Sequence, residues 1–349
     1  MTQALGTIDP IGHLPEHIPE GWQLLRRFAR QLWIAPAHGR RSICPAEKEP
    51  TVRAADYTRL LALAAIWGAS FLFTRMLVPQ VGALPTAFGR VLLATLGLVL
   101  IIAVLRGGWN FRGKLGKALL LGVFSSGIPF AMYSLAAQHL PAGYSAVFNA
   151  TTPLMGVLIG TLFFHEPITP AKAGGVLIGL AGVGVLTRTG PMAFDAELLW
   201  GAAACLVATS CYGLAGFLTR RWITQQGGLD SRLLAFASQL GATLCLLPFL
   251  LWNLPQQSLA PWGEPSVWLA LAGLGLLCTA FAYILYFRLI ADIGPVKSMT
   301  VTFLIPPFGV LWGVLLLDEP LSWAYLYGGV LIAVALWLVL QPSAAQAKT

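Results

Sequence analysis

The chain has 349 residues, 57% of them hydrophobic and only 10% charged, with a formal net charge of +8 and a mean hydropathy of +0.73. A soluble domain carries about 25% charged residues, so this composition excludes a soluble globular fold and points to a polytopic helical membrane protein. The positive charge lies mainly in loops between apolar runs, where it reports topology and gives no reason to expect a nucleic-acid partner.

Residues 1–58 hold no apolar core followed by a small-residue cleavage site, the mark of a signal peptide. They are polar and Pro-rich, with Arg26, Arg27, Arg30, Arg40, Arg41, Lys48 and Arg53, and are expected to form a cytoplasmic tail. Within them Trp22, Leu25, Phe28, Ala29, Leu32 and Trp33 recur at helical spacing between arginines. That pattern suits either a helix lying on anionic lipid or a loosely ordered segment.

Ten apolar spans follow, each near the ~20 residues that cross a bilayer: 59–78, 85–105, 115–137, 142–164, 168–187, 197–219, 231–252, 266–290, 295–317 and 321–341. Turn chemistry separates them: Pro79 to Pro85, Gly107-Gly108, Pro141, Pro167 to Pro170, Gly190-Pro191, Gly227-Gly228, Pro261 to Pro265 and Gly294-Pro295. Arg106, Arg112, Lys114 and Lys117 make one loop basic, and Arg220, Arg221 and Arg232 another. Loops on the opposite side are nearly neutral or hold Asp195, Glu197, Glu264, Asp318 and Glu319. The alternation places both termini, including residues 342–349, in the cytoplasm of a cell with this inner (plasma) membrane protein. Of the five cysteines, Cys205, Cys211, Cys245 and Cys278 lie in apolar runs, and no spacing resembles a metal cluster or a disulfide framework. No metal and no cofactor are expected.

The spans repeat. At one offset of 153, without a gap, Gly122 falls on Gly275, Tyr133 on Tyr286, Ser145 on Ser298, Pro153 on Pro306, Gly156 on Gly309, Gly160 on Gly313 and Glu166-Pro167 on Glu319-Pro320. Trp67-Gly68 to Arg75 matches Tyr212-Gly213 to Arg220 at an offset of 145, and Ala87-Phe88 with Ala94-Thr95-Leu96 matches Ala235-Phe236 with Ala242-Thr243-Leu244 at 148. Residues 59–190 and 191–341 are therefore two five-span units. Five is odd, so the second unit enters the bilayer inverted. The expected fold is an all-α bundle of ten transmembrane helices with a pseudo-two-fold axis in the membrane plane.

These residues resemble the EamA-type units of the drug/metabolite transporter superfamily: Trp67-Gly68 in the first helix, Arg90 in the second, Pro153 in the fourth, and the ending Phe164-His165-Glu166-Pro167, echoed by Leu317-Asp318-Glu319-Pro320. A Gly-rich fifth helix, Gly174-Gly175 with Gly179 and Gly182, completes the likeness over about 58–341. The resemblance implies an exporter or facilitator of amino acids or other small metabolites.

Several residues are candidates for a cavity. A proline within a helix frees the carbonyl four residues earlier, which is Asn149 for Pro153 and Thr302 for Pro306. Those groups suit a wet cavity, or the prolines kink the helices for packing. Trp67 and Tyr212 are repeat mates, as are Tyr133 and Tyr286, and Tyr283 lies one turn from Tyr286. They would wall a chamber with aromatic rings and hydroxyls, or pack the bundle. Arg90, whose counterpart is Ser238, either meets a substrate carboxylate or snorkels to headgroups. Glu166 and Glu319 read as structural, each complementing the dipole of the helix that follows. Gly156, Gly160, Gly309 and Gly313 read as helix-packing surfaces. No catalytic residue is assigned. No acid falls in the middle third of a span, and no phosphate-binding Gly-rich loop is present, which excludes primary active transport by this chain alone. A membrane enzyme, such as a lipid-modifying transferase, would need acids or histidines clustered at one face, and His13, His17, His38, His139 and His165 do not cluster. Sugar phosphates and nucleotide-sugars want several cations where only Arg90 stands, and cationic drugs want a buried carboxylate. The partners expected are a small-molecule solute and membrane lipid, with a homodimer left open.

Overall fold

The computed structural model describes residues 54–105, 108–166, 168–189, 192–253, 260–293 and 301–340. Residues 1–53 of the tail, residues 341–349, Pro167, Ser298, and the breaks at Gly190-Pro191 and Gly294-Pro295 lie outside the described residues, whereas residues 54–58, expected in the tail, belong to the first helix. The apolar runs of the described residues are helical, as apolar runs without water must be to satisfy their own backbone. In chain order the helices are α1 (Ala54–Val81), α2 (Ala83–Val104), α3 (Leu115–Gly122), α4 (Ile128–His139), α5 (Ala142–Asn149), α6 (Thr152–Phe164), α7 (Pro170–Thr189), α8 (Ala196–Trp222), α9 (Ser231–Asn253), α10 (Pro265–Ala272), α11 (Ala282–Ile293), α12 (Val301–Leu317) and α13 (Trp323–Leu340). π-helical turns, Val123–Gly127 and Gly273–Phe281, join α3 to α4 and α10 to α11.

Six helical runs are long and apolar enough to cross a membrane, and the pair α5–α6, bent by 41°, makes a seventh. Three shorter apolar runs, Pro170–Leu186, Val301–Leu317 and Trp323–Ala335, stand where the fifth, ninth and tenth spans are expected. The break expected from Pro79 to Pro85 is narrower than the composition implied. α1 runs through Pro79, and only Gly82, in the left-handed region at φ 88°, separates it from α2.

Packing follows the sequence repeat. α1 packs on α12, and its repeat mate α8 packs on α5 and α6, the mates of α12. α9 packs on α3 and the first π-turn, just as α2 packs on the second π-turn. Two further large contacts, α2 with α9 and α7 with α13, join an element to its own mate, and α8 also packs on α4. At the first of these the repeat-mate hydroxyls of Thr95 and Thr243 lie 3.2 Å apart, which marks where the two units meet in register.

The closest crossings depend on glycine. A Cβ on Gly68 would lie 2.8 Å from Phe308 Cβ and 2.9 Å from the Gly309 nitrogen. At the equivalent crossing a Cβ on Gly213 would lie 2.9 Å from the Gly156 nitrogen. Gly156 and Gly309 thus serve packing as expected. Gly160 and Gly313 serve it differently: they also leave room for the acid that ends their own helix, with Cβ positions 3.4 Å from Glu166 Oε2 and 2.3 Å from Glu319 Oε2. The largest core cluster centres on α5, whose Tyr144 and Phe148 are fully buried against α7, α8, α12 and α13.

Contacts sort the loops into two ends. At one, Lys114 donates to the Gly228 carbonyl, Lys117 Nζ to Gln226 Oε1 at 2.7 Å, and Arg220 lies 3.4 Å from Glu166. At the other, His139 Nδ1 lies 3.7 Å from Glu197 and Glu319 reaches Ala142. The basic loops share the first end. There Arg232 hydrogen-bonds the Asp230 carboxylate and holds its pKa below the usual carboxylate value.

Candidate functional site

A cavity of about 300 Å³ lies between the two units, walled by α1, α2, α8, α12 and the helices around both π-turns. It brings together Trp67, Arg90, Tyr133, Asn149, Tyr212, Tyr283, Tyr286 and Thr302, eight of the ten residues singled out from the sequence. Ser70, Phe71, Thr74, Ser125, Cys278 and Thr279 complete much of the wall. Pro153 and Pro306 do not line it. Pro306 borders a separate, larger and mostly apolar groove of about 660 Å³ between α12 and α13.

Pro153 acts by starting a helix. It occupies the first turn of α6, where a missing N–H costs nothing. The Asn149 carbonyl, expected to be left free for the cavity, accepts the Thr152 hydroxyl at 2.7 Å. What faces the cavity is the Asn149 side chain, whose Oδ1 accepts from the Tyr133 hydroxyl at 3.1 Å. The aromatic residues meet tilted or edge-on in two groups: Trp67 lies 5.2 Å from Tyr286, while Phe71 lies 5.3 Å from Tyr133 and Tyr133 6.2 Å from Tyr212.

Arg90 is turned inwards from α2 and is only 8% exposed. Its Nε donates to Thr279 Oγ1 at 3.0 Å, and its Cζ stands 3.6 Å above the Phe130 ring. The outward, snorkelling orientation weighed above is therefore not adopted. The two Nη groups hydrogen-bond no described residue, and no acid pairs with the guanidinium among the described residues. A guanidinium carries five N–H donors, so most of this charge's hydrogen-bonding capacity is unspent at a site sheltered from water.

The π-turns are what hold Arg90 there. They fall at equivalent places, so Ser125 and Ser126 of the first match Cys278 and Thr279 of the second at the offset of 153. Each widened turn accepts a side chain from the other unit. Arg90 reaches Thr279, while Gln239 Nε2, one residue past the Arg90 counterpart Ser238, reaches Ser126 at 2.9 Å. Gly122 and Gly275 permit the approach: a Cβ on Gly122 would lie 1.9 Å from the Ser238 carbonyl oxygen, and one on Gly275 3.0 Å from that of Arg90. π-turns inside α-helices often mark functional sites. The sequence reading missed them, although equal offsets of a glycine and a hydroxyl-bearing pair were in view. Ser125, on the cavity wall, has its Oγ buried without a partner.

A bundle of apolar helices built as two similar units around a cavity with polar groups on its wall is an architecture that many membrane transporters share. The chain belongs to the EamA-like transporter family, whose model matches residues 57–188 and 199–341. It is 28% identical to Protein PecM of Dickeya dadantii over 276 residues, 78% of this chain and 88% of that protein. It is 24% identical to an uncharacterized transporter of Archaeoglobus fulgidus, covering 79% and 95% of the two chains. A probable terminal-alkyne amino-acid exporter of Streptantibioticus cattleyicolor is 22% identical over 78% of this chain and 89% of its own length. One solved crystal structure shares the fold at a TM-score of 0.54 and 19% identity, over 83% of this chain and 97% of the other.

Proposed function

We propose that this transporter moves small carboxylate-bearing metabolites, foremost amino acids, across the inner membrane by alternating access. It does so as ten spans in two inverted units with both termini cytoplasmic. The observation that carries the substrate class is the Arg90 guanidinium, buried at the cavity wall with both Nη groups unspent and no acid beside it among the described residues. A charge so placed costs several kcal/mol unless something pairs with it. A solute carboxylate pairs with it bidentately. The Trp67–Tyr286 and Tyr133–Tyr212 rings offer an apolar surface for the rest of the solute, and they attract an ammonium group through their π faces. Asn149 and Thr302 add neutral polar contacts. A cavity near 300 Å³ is at the small end of ligand sites, which favours a single amino acid over a nucleotide-sugar. The amino-acid exporter among the relatives supports the same choice.

Solute and lipid are the partners this reading needs, and it holds for a monomer or a homodimer. Uptake of a panel of labelled amino acids, monocarboxylates, sugar phosphates and cations into proteoliposomes tests it. Saturable movement of carboxylates in preference to the others is the expected result. Selective movement of a cation or a diphosphate would overturn it.

A further inference from the structure

Glu319 follows α12 in the second unit, yet its carboxylate serves the first. Oε1 accepts the Ala142 N–H at 2.7 Å and Oε2 the Gly143 N–H at 3.3 Å. These amides begin α5 and have no acceptor within it, and a carboxylate there also meets the positive end of the helix dipole. The helix served is therefore not the one that follows Glu319, as the sequence suggested. The arrangement is built from the backbone up. Asp318 turns the chain at φ 54°, the Glu319 N–H closes on the Gly313 carbonyl at 3.1 Å, and Gly313 offers no side chain where Oε2 passes. Beside it Tyr325 packs on Gly143 with its hydroxyl buried and without a hydrogen-bond partner.

We infer that this contact is a latch: Glu319 is a positioning residue that holds the α5 end of the bundle shut, and its release belongs to the step that opens the cavity to that side. The inference rests on the alternating-access reading above but on no particular solute. The contact ties together two units that must move relative to each other. The cavity reaches towards the opposite end at Thr219, three residues before α8 ends at Trp222, while Thr74 on α1 and Arg90 on α2 line it on the α5 side. On α5 it touches only Asn149, the last residue of that helix. Glu166, the repeat mate of Glu319, leaves α6 by the same turn, with His165 at φ 53° and its own N–H on the Gly160 carbonyl at 3.0 Å. Its carboxylate instead faces Arg220 at 3.4 Å, and its side chain is 39% exposed. Equivalent acids engaged so differently are what an inverted repeat presents when it rests in one of its two states.

Two substitutions remove the latch from opposite sides. Glu319→Gln takes away the charge. Ala142→Pro takes away a donor and leaves α5 intact, because proline suits the first position of a helix and the preceding Pro141 is already extended at ψ 156°. Each is introduced into a cysteine-free full-length chain carrying Asn149→Cys, whose reaction with a membrane-impermeant maleimide is timed in intact cells and in inverted vesicles. Terminal reporter fusions assign the faces beforehand. The parent is expected to react from the end opposite α5. Both variants should react from the α5 end roughly tenfold faster than the parent, the ratio that 1.4 kcal/mol represents. Ala142→Ser, which keeps the N–H, should behave as the parent does. Faster reaction of the parent from the α5 end than from the other, or unchanged rates in both variants at normal abundance, would overturn the latch. Failure of carboxylate uptake would leave these rates untouched and count only against the choice of solute.

Discussion

Replacing Arg90 with glutamine removes a charge while leaving an amide able to reach Thr279 Oγ1, now 3.0 Å from the guanidinium Nε. The fold should tolerate the change. It forfeits the cation–π contact over Phe130, at 3.6 Å, worth about 1–2 kcal/mol when desolvated. Against that, it relieves the cost of burying a cation that no acid pairs among the described residues. Melting temperature and abundance should therefore move little. Transport should move a great deal. A hydrogen bond to a charged group contributes about 1.5–3 kcal/mol, whereas a neutral one contributes about 0.5–1.5 kcal/mol. A solute with a carboxylate loses the larger amount, and its amide analogue, which never met the charge with one of its own, loses the smaller. The differential is about 1–1.5 kcal/mol, close to tenfold in the ratio of the two affinities. Proteoliposome uptake, with KM measured for each solute in both proteins, reads that ratio directly. Equal changes for carboxylate and amide, in protein of normal abundance, would refute the assignment of Arg90 as the carboxylate anchor.

Gly68→Ala and Gly213→Ala should each lower the melting temperature in detergent, because their Cβ atoms would meet backbone nitrogen at 2.9 Å and overpacking costs about 1–3 kcal/mol. Gly174→Ala, where nothing lies within 4 Å, should not; three indistinguishable melting curves would count against tight crossings. Thr152→Val should destabilise the bundle by about 1–2 kcal/mol by stranding the Asn149 carbonyl, and Thr152→Ser should restore it. Loss in both, or in neither, would place the α5–α6 bend on other contacts. A reporter that fluoresces only in the cytoplasm, fused after Thr349, should light up, and a periplasm-active phosphatase fused there should stay silent. The reverse pattern would rule out an even number of spans with the basic loops inside.

Much of the architecture was legible because duplication writes one pattern twice. Gly156 and Gly309 share a register, and so do Gly68 and Gly213, and the paired crossings they form follow from it. Several residues that line the cavity were singled out for the same reason, Trp67 with Tyr212 and Tyr133 with Tyr286 recurring in both units, whereas Arg90 has Ser238 as its counterpart. What escaped was set by tertiary contact. A π-turn differs from an α-turn by one hydrogen-bond step. Here it is fixed by Gly122 lying against the Ser238 carbonyl and by Gln239 reaching Ser126, neither of which has a local signature. The target of Glu319 lies 177 residues away at Ala142, while the Pro320 beside it pointed to the wrong helix. Pro153 misled in a related way. A proline can kink a helix or begin one, and the neighbouring Thr152 hydroxyl decides between them by taking the carbonyl that a kink would expose.

The glycine crossings have a consequence for how such a chain could arise. The large faces of α1 and α8 are spent on α12 and α6, each belonging to the opposite unit, and α2, α7 and their mates pair off across the same divide. Each half buries its large helix faces on the other. On the inverted two-unit reading proposed above, an ancestor of half this length would insert in both directions and pair with an oppositely oriented copy of itself. Joining two copies in one chain fixes an orientation for each and leaves the two sequences to diverge, so that one keeps Arg90 where the other keeps Ser238.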